Sequence, residues 1–123
     1  MNKEVKMMKA LIVHSGDQDG SGVRFTEEAI RKMHEDSNEG KRLTKKLGSE
    51  CYIPCGYLMK TELFWNEETG NLELWGYFMY DFDGIDYSKT GVCSYIVSYD
   101  SRKVHNGKCS DCSLVGCSMV IDE

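Results

Sequence analysis

The spacing of apolar residues changes twice along this chain. Val5 to His14 closes on the unbroken apolar run "ALIV", which predicts a buried strand. From Glu27 to Asp36 the interval lengthens, and Ala29, Ile30 and Met33 fall on one face of a predicted helix. Thr26 stands at its N-cap, Glu27 and Glu28 complement its positive end, and "SNEG" stops it at Gly40. The following "KRLTKKLGSE" reads as a basic linker or a short helical turn. Beyond Gly56 the period drops to two. In "GYLMKTELFW", Tyr57, Met59, Thr61, Leu63 and Trp65 alternate with Leu58, Lys60, Glu62 and Phe64. "NEETGN" then supplies a turn and "LELWGYFMY" the return strand. After the linker "DFDGIDYSKTG", the strands "VCSYIVSYD" and "CSLVGCSMVID" flank a turn at Asn106 and Gly107. These elements predict an α+β fold, a mainly antiparallel sheet of about five strands with one covering helix.

At 123 residues, 41% hydrophobic and 28% charged, the chain is expected to be a single domain, residues 1–123, of ordinary soluble composition. A formal charge of −5 argues against a long basic groove for nucleic acid. No apolar run approaches the roughly 20 residues that span a bilayer, so no membrane partner is expected. "ALIV" is too short for the core of a signal peptide, which predicts a cytoplasmic protein. Six cysteines in that compartment are expected as free thiols, with a disulfide framework as the alternative.

Two stretches carry metal-like spacing. Asp17, Asp19, Ser21, Val23, Phe25 and Glu28 occupy the ligand positions of an EF-hand loop, and Gly22 takes its glycine position. Carboxylates two apart converge on a hard cation there, and the last Glu binds it bidentately. Against calcium, Arg24 replaces the usual apolar bridge residue, a strand pattern precedes the loop, and no second loop pairs with it. "HNGKCSDCSLVGC" offers His105, Cys109, Cys112 and Cys117, and "CYIPC" adds Cys51 and Cys55. A zinc ribbon would join Cys51, Cys55, Cys109 and Cys112, but the first pair is spaced more loosely than usual. A thioredoxin-like dithiol is disfavoured because no helix follows the Cys-x-x-Cys. The expectation is no bound metal and no cofactor. The calcium candidates are Asp17, Asp19, Ser21 and Glu28, and the zinc candidates are the four cysteines just named.

One arrangement resembles a family. "KALIVHSGDQDGSGVRFTEEAIRKM" is similar to the opening of phage capsid-maturation (prohead) proteases and related head proteins, where a strand passes through a polar, glycine-containing turn into a helix beginning "F-T-x-E-A-[IL]". "PCGYLMKTELFWNEETGNLELWGYF" resembles that family's "G-x-[VL]" strand, acidic hairpin and return strand. "CSYIVSY" sits where the family has its serine-bearing strand, and "DCSLVGCSMV" resembles its closing strand. The resemblance covers most of the chain in short motifs. It implies a serine nucleophile at Ser94 or Ser98, activated by a histidine, because a serine hydroxyl needs an adjacent base. The family's histidine belongs just before the "G-x-[VL]" strand, where this chain has "LGSECYIPCG" and no histidine. His14, His34 and His105 all lie elsewhere, leaving Ser98 with His105 as the fallback catalytic pair.

The expected function is therefore binding without catalysis. The first reading is a degenerate prohead-protease-like head or virion component, with a phage structural protein as partner. The alternatives are a small phage inhibitor of a host defence enzyme, comparable to an anti-CRISPR protein, a calcium- or zinc-binding regulator, and a serine protease with a relocated base. Trp65, Trp75, Tyr77 and Tyr80 cluster on one predicted hairpin as candidate contact residues, although cross-strand aromatics also stabilise sheets without a partner. Asp81, Asp83 and Asp86 form an acidic loop that either faces a basic partner or is simply solvated.

Overall fold

The computed structural model describes residues 5–36, 41–47, 51–81 and 93–120. Strand β1 (Val5–His14) leads through a polar loop and the short strand β2 (Arg24–Phe25) into helix α1 (Glu27–Asp36). Then come β3 (Lys41–Leu47), β4 (Cys51–Asn66), β5 (Asn71–Asp81), β6 (Cys93–Ser98), a 3-10 turn (Ser101–Lys103), β7 (Lys108–Cys109) and β8 (Ser113–Val120). Among the described residues, six strands form one sheet in the order β1-β5-β4-β3-β8-β6, while β2 and β7 pair separately and in parallel. The class is α+β, as predicted. The large sheet is antiparallel except where β3 meets β8.

Helix α1 has the predicted bounds and the predicted cap: Thr26 Oγ1 accepts a hydrogen bond from the Ala29 amide at 3.3 Å. Its Ala29, Ile30 and Met33 are fully buried. They pack on the inner sheet face against Met8, Ala10 and Ile12 of β1, Leu58 of β4, and Leu72, Leu74, Phe78 and Tyr80 of β5. The sheet curls around this helix until its two edge strands, β1 and β6, approach each other.

Residues 41–47 differ from expectation. The lysine-rich segment is neither linker nor helical turn but a central strand. It pairs antiparallel with β4, Arg42 opposite Tyr57, and parallel with β8, Leu43 opposite Cys117. Its own apolar period is weak. Two flanking strands nonetheless offer it backbone donors and acceptors that would otherwise go unpaired.

The hairpin of β4 and β5 around "NEETGN" is present, but its faces are not those of a strict alternation. A bulge between Leu58 and Lys60 shifts the register by one residue. Leu58 therefore shares the inner face with Thr61 and Leu63, while Tyr57, Lys60, Glu62 and Phe64 line up outside with Met79, Tyr77, Trp75 and Glu73. The second predicted hairpin also forms, β6 against β8. Asn106 and Gly107 both have positive φ, 53° and 72°, which closes a two-residue turn between His105 and Lys108.

At Gly56 three strands crowd together. It lies opposite Leu43 of β3 and Tyr80 of β5, and a Cβ there would stand 2.0 Å from the Met79 carbonyl oxygen and 2.8 Å from the Tyr80 Cα. Backbone cannot move aside as a flexible side chain can. Gly56→Ala is therefore expected to destabilise the fold by about 3 kcal/mol or more, at the severe end of overpacking. Gly20→Ala, where nothing lies within 4 Å of the new carbon, should be close to neutral. Urea midpoints of the two variants check this, and equal midpoints would contradict it.

Candidate functional site

Among the described residues, the helix covers the inner sheet face and no element packs on the outer face of β1, β5 and β4. Lys9 lies opposite Tyr77, and Lys60 flanks Tyr77 from the other side. The Lys9 Nζ sits 5.3 Å from the Tyr77 ring centroid and 5.4 Å from that of Trp75, and the Lys60 Nζ sits 4.7 Å from Tyr77. Such cation–π contacts are worth about 0.5–1 kcal/mol each at exposed positions. The rings are held at their polar ends as well. Tyr77 donates to Glu62 Oε2 at 2.8 Å, and the Trp75 indole donates to Glu73 Oε1 at 3.0 Å. Glu73 is only 8% exposed and accepts a second bond, from Asn66 Nδ2 at 3.1 Å. Beside this framework lies an apolar strip with its surface in water: Val5 is 50% exposed, Met7 66%, Tyr57 58% and Met59 48%. Sequence reasoning missed the strip, although the period-2 signal had placed Tyr57 and Met59 on one face.

The predicted contact residues divide between the two faces. Trp75 and Tyr77 are on the outer one. Trp65 pairs with Leu72 on the opposite face, but near the hairpin tip, where it stays about half exposed. Tyr80 points inward and is 1% exposed, so it belongs to the core and cannot meet a partner. It shares the even-numbered parity of Leu72, Leu74 and Phe78, which was readable from the strand period. Asp81 ends β5 opposite Val5. Asp83 and Asp86 lie outside the described residues.

The loop from His14 to Phe25 turns its carboxylates toward protein partners. Asp17 accepts from the His14 amide at 2.9 Å and faces the His14 Nε2 at 3.0 Å. Asp19 accepts from the amides of Ser21 and Val23, both at 2.9 Å, and from the Tyr99 hydroxyl. Glu28 is exposed on the helix. The four calcium candidates do not converge, and among the described residues no group of three or more His, Cys, Asp or Glu side chains is gathered for a metal. This loop seals the seam between β1 and β6. Tyr95 donates to the Gln18 carbonyl at 3.2 Å, and the Tyr95 and Tyr99 rings meet buried Phe25 edge-on at 5.8 and 6.3 Å.

The zinc candidates are also kept apart. Cys51 pairs with Leu47, just past the Val120 end of β8, and Cys55 lies between residues level with Cys117 and Ser118. Cys112 precedes the other end of that strand. Eight strand residues separate the ends by roughly 25 Å. Ser98 lines an open cleft of about 370 Å³ with Tyr99, Asp100, Lys103, Asp111, Cys112 and Ser113. His105, the fallback base, is not among those residues. Lys103 is engaged with Asp111 at 3.1 Å, and Asp111 also meets Lys32 at 3.3 Å. These two cations hold the Asp111 carboxyl below the usual carboxylate range, Lys103 contributing more. Ser94 pairs with Ser118 within the sheet.

Comparison of the chain with protein-family models, with curated proteins and with solved structures finds no match.

The hydrogen bond to Asp19 pushes the Tyr99 hydroxyl up from 10.0 to about 12, and the same bond lowers Asp19 below its usual 3.8. A raised folded-state value means that this stabilisation is whole below pH 10 and lost as pH climbs from 10 to about 12. For Asp19 the sign reverses, and its share is present above 3.8 and lost on acidification below it. Tyr99→Phe should therefore be less stable than the parent protein at neutral pH, and the gap should narrow at both extremes. Urea unfolding across pH checks this, and a pH-independent gap would contradict it.

Proposed function

We propose that this chain is a non-catalytic, phage-type module that acts by protein contact, as a head or virion component. The outer face of β1, β5 and β4 is its contact surface. The observation that carries the reading is the exposed strip of Val5, Met7, Tyr57 and Met59 beside a pre-ordered Lys9–Tyr77–Lys60 stack. Rings already fixed by hydrogen bonds lose little freedom on binding, and aromatic anchors dominate contact energetics. The chain carries a net charge of −5, yet this face places two lysines beside its apolar strip. The matching partner surface is apolar, with carboxylates set toward Lys9 and Lys60.

The phage assignment rests on the sequence motifs. The strand, polar turn and Thr26-capped helix of residues 5–36 support it by following the order that the resemblance implies. Absence of catalysis is supported by the cleft at Ser98, which His105 does not line.

Met7→Lys combined with Tyr57→Lys replaces exposed side chains and should leave the unfolding free energy, read from urea titration, within about 0.5 kcal/mol of the parent. Affinity purification of tagged protein from phage-producing cells should then recover a partner with the parent chain and lose it with this variant. Ser98→Ala combined with His105→Ala should retain both the partner and phage yield. If the serine–histidine variant abolishes function while keeping its fold and partner, the chain is an enzyme and this reading fails. Retention of the partner by the lysine variant moves the contact surface elsewhere.

A further inference from the structure

The turn that leads into β7 sets an electrophile beside a nucleophile, and neither is occupied by another bond. Asn106 and Gly107 are both exposed, with φ of 53° and 72°. The His105 amide donates to the Lys108 carbonyl at 3.0 Å, and the Lys108 amide donates back to the His105 carbonyl at 2.9 Å. The Gly107 carbonyl accepts from the Arg24 amide of β2 at 2.8 Å. Among the described residues, the Gly107 nitrogen and the Asn106 carboxamide enter no hydrogen bond. Nothing lies within 4 Å of the place a Cβ on Gly107 would take, so a ring has room to close there. The other described asparagines are held differently. Asn66 Oδ1 accepts from the Glu68 and Thr69 amides at 3.0 and 3.3 Å, and its Nδ2 donates to Glu73. Asn71 precedes Leu72, whose amide is spent on Ser15 Oγ at 2.9 Å. Of all the asparagines in the chain, Asn106 alone precedes a glycine.

We propose that Asn106 is a self-modification site, which deamidates in the folded protein through a succinimide to isoaspartate and thereby unseats β7 from β2. The Gly107 amide nitrogen gives its proton to solvent hydroxide and attacks the side-chain carbonyl carbon of Asn106. A C–N bond forms, the bond to the carboxamide nitrogen breaks, and that nitrogen takes a proton back from solvent and leaves as ammonia. Water then adds to the cyclic imide and opens it. Addition at the main-chain carbonyl, the more electron-poor of the pair, gives isoaspartate as the larger product, and addition at the other gives aspartate. The sum is water in and ammonia out, with no oxidant or reductant. Ring closure needs the turn to open, which breaks the three hydrogen bonds just described, and local openings of that size lie well below global unfolding. Isoaspartate routes the main chain through the former side chain and lengthens it by a carbon atom. The bonds between His105 and Lys108 then cannot both close, and the Gly107 oxygen is carried off the Arg24 amide. Lys108 and Cys109 lose their register with Arg24 and Phe25. Lost with it is the bond from the Thr26 amide, at the cap of α1, to the Cys109 carbonyl at 3.0 Å.

The test holds the intact protein in mildly alkaline buffer at physiological temperature, samples it over time, and digests it with trypsin at slightly acidic pH so that digestion adds no conversion. Cleavage after Lys103 and Lys108 isolates residues 104–108. That peptide should gain, with first-order kinetics, the mass of a hydroxyl replacing an amino group. Electron-transfer fragmentation should show isoaspartate as the larger product. The rate should not change with urea below the unfolding transition, because a local opening exposes little surface. Asn106→Asp should fold like the parent and show no such mass gain in this peptide. The converted parent should unfold at a lower urea midpoint than Asn106→Asp, which keeps the ordinary main chain. If Asn106 stays intact in the folded chain while the urea-unfolded chain converts, the turn protects it and the proposal is overturned. A rate that climbs from the first additions of urea overturns it too, since the reaction then runs through global unfolding. So does faster conversion at another asparagine, or a converted chain with the same midpoint as Asn106→Asp.

Discussion

Ala29, Ile30 and Met33 have no surface in water, and keeping that stripe dry organises the rest of the molecule. A ten-residue helix is too short to persist alone, because nucleation costs more than so few turns return. Each large apolar side chain buried beneath it contributes roughly 1.5–3 kcal/mol, so the helix is held by the sheet rather than by its own propensity. The sheet in turn curves to wrap it. Phe25 and Leu114 join the same core from either end, and the loop carrying Asp19 closes over the seam through Tyr95 and Tyr99. The inner face of the described sheet is thereby spent on the helix.

Some of this was legible in the chain and some was not, for reasons that differ by residue. The helix was legible because its signals were local and agreed: Thr26 to cap it, two glutamates in its first turn, three apolar residues at helical spacing. Strand β3 was hidden. Lys41–Leu47 has four basic residues and a weak period, and it becomes a strand only because β4 and β8 arrive on either side. That information lies far away in the sequence. The bulge at Met59 was hidden for another reason, since one extra residue leaves no compositional trace yet moves every later side chain of the strand to the other face.

The candidate sites show a similar division. The calcium-like spacing of Asp17, Asp19 and Glu28 was real as a pattern, but hydrogen bonds to His14, Ser21, Val23 and Tyr99 already occupy the first two carboxylates. Spacing reports where ligands could sit and says nothing of what else they bond. The two Cys pairs looked like halves of one zinc site until the strand register set them at different levels of the sheet.

The pairing of β3 with β8 also constrains the order in which the molecule assembles. Leu43 meets Cys117, a contact that spans more than half of the chain, whereas β4 and β5 are neighbours joined by a four-residue turn. Loops that long must be closed before their contacts repay the lost entropy, so local hairpins form first. During synthesis on the ribosome β4 and β5 can zip together early, while β3 waits with one edge bare until residues 113–120 have emerged. For that interval a lysine-rich strand is the exposed one. Charge of one sign along an open edge repels a second copy of itself, so the composition that hid β3 from pattern reading also guards the nascent chain against pairing with its neighbours.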